Sequence, residues 1–114
     1  MIQLYGIPNC DTVKKARAWL DAHGIEYAFH DYKKEGADPA KLERWVAEKG
    51  WEVVLNRRGT TFRQLSDADK ADIDAAKAVQ VMAAHPSTIK RPVVEYPDGL
   101  LVGFDPAEWG AALS

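Results

Sequence analysis

The chain has a single cysteine, Cys10, among its 114 residues, and it has no long run of apolar side chains. One cysteine cannot form an internal disulfide, which argues against a disulfide-stapled secreted domain. The apolar runs span only a few residues and are too short to cross a bilayer. The start of the chain also lacks the basic-then-apolar pattern of a secretory signal. We therefore expect a soluble, cytoplasmic protein that is kept reduced.

An excess of charge of one sign is also missing. The chain has 15 Lys and Arg residues against 17 Asp and Glu residues, which gives a formal net charge of -2. Such a balance provides no global positive field, so neither nucleic acid nor a membrane surface is an expected partner. The 3 histidines show no metal-ligand spacing. With only one cysteine beside them, we expect no metal site.

The apolar pattern predicts alternating strands and helices in one domain over residues 1–114. Residues 2–6 alternate between apolar and polar and predict a strand that ends at a glycine. Helical spacing follows from Asp11 and stops at His23-Gly24. Residues 25–32 alternate again and predict a second strand. A strand, a helix and a strand within about 30 residues form a βαβ unit with parallel strands.

The middle of the chain predicts a helical insertion over residues 36–86. One helix starts at Asp38-Pro39 and ends at Gly50, and a second helical stretch covers 66–84 and has Ser66 as its cap candidate. The polar loop between them, residues 56–63, carries three arginines.

A hairpin and a short helix complete the predicted order. Strands at 92–96 and 100–104 flank Pro97-Asp98-Gly99, and Asp105-Pro106 starts the last helix. The order βαβ, helices, ββα predicts an α/β fold with one sheet.

Cys10 lies between the first strand and the helix that begins near Asp11. The free N–H groups and the dipole of a first helical turn favour a thiolate, which is the nucleophilic form of cysteine. The dipole contributes only about 0.3–1 kcal/mol at an exposed site, so cations must assist. Lys14 lies one turn further on the same face, and the polar Asn9 precedes the thiol. A small buried hydrophobe is the alternative role, but the polar loop position favours a reactive thiol.

The thiol has no local partner, because Val13 stands where a C-x-x-C motif would have its second cysteine. The second thiol of a redox cycle must then come from solution, and glutathione is the abundant cytosolic candidate. Glutathione carries two carboxylates, which favour cationic sites. The candidates are Arg57 and Arg58 in the central loop, and Arg91 immediately before Pro92. Solvated loop charge is the alternative role for each arginine.

Five segments of the chain, in their order and spacing, resemble the arsenate-reductase-like ArsC/Spx/YffB family, and most closely its YffB branch. The segments are GIPNCDTVKKAR, FHDYKKEG, LNRRGTTFR, IKRPVVE and LLVGFDPAEW, and the resemblance spans essentially the whole chain. It implies a thioredoxin-like fold with an inserted helical subdomain and a mixed four-stranded sheet of order 4-3-1-2. It also implies a cis peptide bond before Pro92 and a glutathione-dependent thiol reductase activity.

The resemblance carries over to individual residues only in part. Cys10 matches the catalytic cysteine of arsenate reductases, and Arg91 matches the arginine before their cis-proline. The first arginine of their oxyanion triad falls at Asn56, next to Arg57. The third falls near Gly103-Phe104, where no arginine stands, so an arsenate ester would lose part of its charge-matched cage.

Three hypotheses follow. The leading one is a glutathione-dependent thiol-disulfide oxidoreductase, expected to be a monomer, that uses Cys10 and acts on a thiol or disulfide substrate. The second is a regulator that resembles Spx and docks on RNA polymerase without turnover. The pair Gly103-Phe104 favours that resemblance, while Val13 removes the C-x-x-C switch of such regulators. The third is an arsenate reductase with an altered anion site.

Overall fold

A computed structural model describes residues 2–113 of the chain. The chain divides into two compact units, one formed by the described residues up to Tyr32 together with those from Arg91 onward, the other by Lys33–Lys90. The sequence placed the helical insertion at 36–86, so the second unit contains that insertion and a few residues on each side of it. A single domain over the whole chain stays a prediction.

The first unit contains a mixed four-stranded sheet. Its strands lie in the order β2-β1-β3-β4, with β2 parallel to β1, β3 antiparallel to β1 and β4 antiparallel to β3. This arrangement confirms the predicted thioredoxin-like fold class and the order 4-3-1-2. The strands are β1 (Ile2–Gly6), β2 (Tyr27–Asp31), β3 (Val93–Tyr96) and β4 (Gly99–Val102).

Residues 2–113 contain eight α-helical segments and one 3-10 turn. The first and last helices belong to the first unit, and the other segments lie between β2 and β3. They are α1 (Asp11–Ala22), α2 (Tyr32–Glu35), α3 (Pro39–Lys49), α4 (Trp51–Val54), α5 (Thr60–Arg63), α6 (Asp67–Lys70), α7 (Ala75–Ala84), the 3-10 turn (Pro86–Thr88) and α8 (Pro106–Leu113).

The predicted helical stretch over 66–84 is in fact interrupted. Ser66 caps its start as expected and accepts a hydrogen bond from the Asp69 amide, but α6 then stops after one turn. Asp72 adopts a left-handed backbone conformation with φ 52, and the Asp74 side chain caps a new helix by accepting from the Lys77 amide at 2.8 Å. Asp side chains compete with the helix interior for backbone donors, so the second aspartate restarts the helix.

Other predicted boundaries also differ from the structure. Tyr32, expected at the end of the second strand, starts α2 and is buried. The third strand begins at Val93 rather than at Pro92, which has no N–H to give to a sheet. The loop predicted over 56–63 contains the helical turn α5, and the fourth strand ends at Val102 rather than at residue 104.

One face of the sheet packs on α1 and α8 and forms the core of the first unit. The cluster joins alternate residues of the strands to the apolar stripe of α1 and to Trp109, which is fully buried. At the end of β1, a Cβ atom on Gly6 would lie 2.8 Å from Val13 Cγ2. The glycine therefore lets α1 approach the sheet. The buried members are Leu4, Val13, Ala16, Leu20, Val94, Leu101 and Trp109.

Candidate active site

Cys10 is the N-cap residue of α1, as the sequence predicts. Its backbone is extended (φ -83, ψ 126), and its carbonyl oxygen accepts the first helical hydrogen bond from the Lys14 amide at 2.9 Å. Its own amide donates to the Ile7 carbonyl at 3.2 Å, which closes the turn after β1. The turn therefore presents the thiol at the start of the helix.

The side chain of Cys10 does not cap the helix. It makes no hydrogen bond to a first-turn amide, contrary to the expectation from sequence, and packs instead against the core cluster of the first unit. Sulfur is a weak acceptor, so contact with apolar neighbours replaces the capping bond. The residue is half-buried rather than sealed from solvent. Asn9 and Lys14, predicted to flank the thiol, both have exposed side chains.

The sheet register places Pro92 at the same end of the strands as Cys10, which follows the end of β1. Val93, the first residue of β3, pairs with Tyr5 near the end of β1. Because β1 and β3 are antiparallel, the end of β1 and the start of β3 lie side by side at one end of the sheet. The peptide bond between Arg91 and Pro92 is cis, and Pro92 is buried. Cys10, Arg91 and Pro92 therefore lie at the same end of the sheet.

A polar layer that sequence reasoning missed occupies the face of β1 opposite the core cluster. Tyr5 donates a hydrogen bond from its hydroxyl to Glu95 Oε1 at 2.8 Å. Its ring stacks on His30 with the centroids 4.6 Å apart, and it lies 6.4 Å from the ring of Tyr32. His30 in turn makes a hydrogen bond to the Gln3 side chain. The alternation of Gln3 and Tyr5 along β1 was the signal in the sequence for this layer.

Tyr32 is buried within that layer. Its hydroxyl has no hydrogen-bond partner among residues 2–113. Burial raises the pKa of Tyr32 well above its ordinary value; Tyr5 and Glu95 act in the same direction, and the positive charge of Arg91 opposes them. The phenol is therefore neutral at physiological pH.

Arg57 and Arg58 belong to the second unit. The guanidinium of Arg57 lies 3.7 Å from Glu52 Oε2 and 5.1 Å from the centre of the Trp51 ring. The amide of Arg58 donates to the Asn56 side-chain oxygen at 3.1 Å, so Asn56 shapes the loop. Both arginines, together with Lys90, line one cavity of about 280 Å³. The second unit thus groups three cations, one of which already has an acidic neighbour.

Gly103 and Phe104 have structural contacts where the resemblance aligns an arginine. Gly103 has a positive φ of 83, and its carbonyl oxygen accepts from the Trp109 indole at 3.1 Å. The Phe104 ring meets the Trp109 ring edge-on, with centroids 4.8 Å apart.

Within residues 2–113, no group of three His, Cys, Asp or Glu side chains is arranged to hold a metal ion. No helix in that range is long and apolar enough to cross a membrane.

Comparisons with known proteins agree with this geometry. The solved structure of the YFFB protein is 58% identical, with a TM-score of 0.98 and full coverage of both chains. An arsenate reductase (ArsC) related protein from Brucella melitensis is 54% identical, with a TM-score of 0.76, over 96% of this chain and 92% of that one. The global transcriptional regulator Spx of Lactiplantibacillus plantarum is 29% identical over 95% of this chain and 83% of its own length. The ArsC family model matches residues 5–112, and the chain belongs to the ArsC family.

Proposed function

We propose that this protein is a glutathione-dependent thiol-disulfide oxidoreductase that uses Cys10 as its one nucleophile. The observation that carries the proposal is the half-buried cysteine at the N-cap of α1, at the same end of the sheet as Arg91 and Pro92. Membership in a family with arsenate-reductase-related proteins supports an oxidoreductase. A lone cysteine requires a soluble thiol to complete the cycle, and glutathione has that role in the cytosol.

The reaction consists of two thiol-disulfide exchanges. The Cys10 thiolate attacks the glutathione sulfur of a glutathionylated substrate, the substrate S–S bond breaks, and the substrate leaves as a thiolate that takes a proton from water. Cys10 then holds glutathione in a mixed disulfide. The thiolate of a second glutathione attacks the glutathione sulfur of that disulfide, which releases oxidised glutathione and regenerates Cys10. The substrate is reduced, and the incoming glutathione is oxidised.

Groups of the first unit assist both exchanges. Arg91 binds a carboxylate of glutathione and stabilises the thiolate by its charge. Lys14 adds a second positive charge one helical turn from the thiol, and Asn9 offers a polar side chain beside it. The backbone next to Pro92 pairs with the tripeptide as a short strand. Removal of Arg91 should therefore impair both glutathione binding and attack.

The loop arginines of the second unit are a separate part of the proposal. Arg57 and Arg58 bind a carboxylate at the cavity that they line with Lys90, and the Trp51 ring under Arg57 limits the side-chain entropy lost on binding. Glu52 competes with such a ligand for Arg57. We therefore expect Arg57→Ala and Arg58→Ala to raise the KM for glutathione and to leave alkylation of Cys10 unchanged.

Intact-mass spectrometry after incubation with oxidised glutathione tests the proposal. We expect one glutathione adduct on the wild-type protein, its removal by reduced glutathione, and no adduct on Cys10→Ser. Turnover of a glutathionylated peptide, coupled to glutathione reductase and NADPH, should be lost in the same variant. If the folded protein stays unmodified while the urea-unfolded protein is modified, the proposal is wrong.

A second candidate function is regulatory binding to RNA polymerase, which the match to Spx over 83% of its length favours. It predicts that immobilised protein retains purified RNA polymerase equally in the wild type and in Cys10→Ser, with no turnover in either. Absence of retention at low salt would reject it. Val13, at the position of the second cysteine of a C-x-x-C switch, argues for the enzyme.

A further inference from the structure

A cavity of about 730 Å³ opens beside β2, which is an edge strand of the sheet. It lies at the opposite end of the parallel pair from the candidate active site. Tyr27 pairs with Ile2 at the start of β1, whereas Cys10 follows the end of β1. Side chains of α1 and β2 line the cavity together with the turn between them. The lining residues are Arg17, Asp21, Gly24, Ile25, Glu26, Tyr27 and Phe29.

Arg17 is held in place within this cavity while part of its guanidinium remains unused. Its Nε donates to the Tyr27 hydroxyl at 3.1 Å, and its Cζ lies 4.3 Å from the centre of the Phe29 ring. Among residues 2–113 it forms no ion pair. The terminal nitrogens of a stacked, planar guanidinium are preorganised for two parallel hydrogen bonds to a carboxylate. The bracing means that little side-chain entropy is lost on binding.

The other charges of the cavity are negative. Asp21 lies at the end of α1, in a last turn that has no basic residue. An acidic side chain is unfavourable there, because the helix C-terminus already carries partial negative charge. Glu26 is exposed on the same cavity, and neither carboxylate forms an ion pair within residues 2–113. This side of the cavity therefore favours a cation such as an ammonium group.

We propose that the cavity binds a zwitterionic α-amino acid with an apolar side chain. Arg17 takes the carboxylate, Asp21 and Glu26 take the ammonium group, and the side chain packs on Tyr27 and Ile25. The two signs of charge, neither of them paired within residues 2–113, match the two charges that such a ligand carries on adjoining groups of one carbon atom. The site is separate from the thiol chemistry, so the result of its test does not depend on whether the proposed function is correct.

Three probes that share one apolar skeleton test the site on the full chain. They are L-leucine, 4-methylpentanoate, which lacks the ammonium group, and 3-methylbutylammonium, which lacks the carboxylate. The readout is the amide chemical shifts of residues 24–29 in a titration followed by NMR. We expect saturable shifts with L-leucine at millimolar concentrations, and binding about fivefold weaker for each single-charge probe.

Two variants assign the charges. Arg17→Lys keeps the positive charge but loses the planar fork, and should weaken L-leucine and 4-methylpentanoate about fivefold while leaving 3-methylbutylammonium unchanged. Asp21→Asn should weaken L-leucine and the ammonium probe, but not the acid. Arg44→Lys, at an exposed position of α3, is the control and should bind as wild type. Absence of shifts with L-leucine, or equal binding by wild type and Arg17→Lys, would overturn the proposal.

Discussion

The amide of Gly103 donates a hydrogen bond to the carbonyl oxygen of Pro92 at 2.8 Å. Gly103 holds this position with a left-handed φ of 83, and its own carbonyl oxygen is bound by the Trp109 indole. The two hydrogen bonds connect α8 to the residue that precedes β3. The positions of Pro92 and of Arg91 before it therefore depend on Gly103.

Gly103→Ala should lower the free energy of unfolding by about 1–3 kcal/mol, because a Cβ atom is strained at this φ. Urea denaturation measures the change. Gly110→Ala in α8 is the matched control, since nothing lies within 4 Å of its added Cβ. That control should gain about 0.5–1 kcal/mol, because alanine is the better helix former. Equal stability of the two variants would contradict the role assigned to Gly103.

Gly6→Ala should destabilise the first unit by about 1–3 kcal/mol, because its Cβ would lie 2.8 Å from Val13 Cγ2. The double variant Gly6→Ala/Val13→Ala removes the clash. Its loss should be smaller than the sum of the two single losses by about 1 kcal/mol. A double-mutant cycle from urea denaturation tests this, and strictly additive losses would show that α1 does not depend on the glycine for its approach.

Tyr32→Phe should raise the free energy of unfolding at neutral pH by about 1 kcal/mol, because it removes a buried hydroxyl that has no partner. A loss of more than about 1 kcal/mol in this variant would mean that the hydroxyl is satisfied in solution.

The same substitution should change the alkaline limb of the stability curve. Burial raises the pKa of Tyr32 in the folded chain, so the folded state keeps a proton that the unfolded state releases. This contribution is fully present below about pH 10, the ordinary tyrosine value, and is lost as the pH rises beyond it. Thermal melts between neutral and alkaline pH should show a smaller loss in Tyr32→Phe than in the wild type.

Local residue signals were sufficient for the parts of the fold whose ends are marked in the sequence. Pro39 and Gly50 bound α3, and the pair Pro97-Asp98 forms the two-residue turn between β3 and β4. The interruption before Asp74 was missed, because the apolar spacing continues through it while two aspartates change the backbone. Periodicity reports which face is apolar, not whether a side chain competes for the helix donors.

The candidate site was predictable where it depends on neighbours in sequence. The position of Cys10 before a helix follows from Pro8 and the change of pattern at Asp11. The contact of Arg57 with Glu52 and the bracing of Arg17 by Phe29 were not predictable in the same way, because they depend on which side chains the helices and strands present to one another. Such contacts become visible only when the tertiary structure is known.

The rate of Cys10 alkylation by the neutral reagent iodoacetamide tests most directly whether Arg91 activates the thiol. At neutral pH we expect Arg91→Ala to react about tenfold more slowly than the wild type, because the thiolate loses a stabilising positive charge. The control Arg44→Ala should react at the wild-type rate. Alkylation of Arg91→Ala at the wild-type rate across the pH range would contradict the proposed activation.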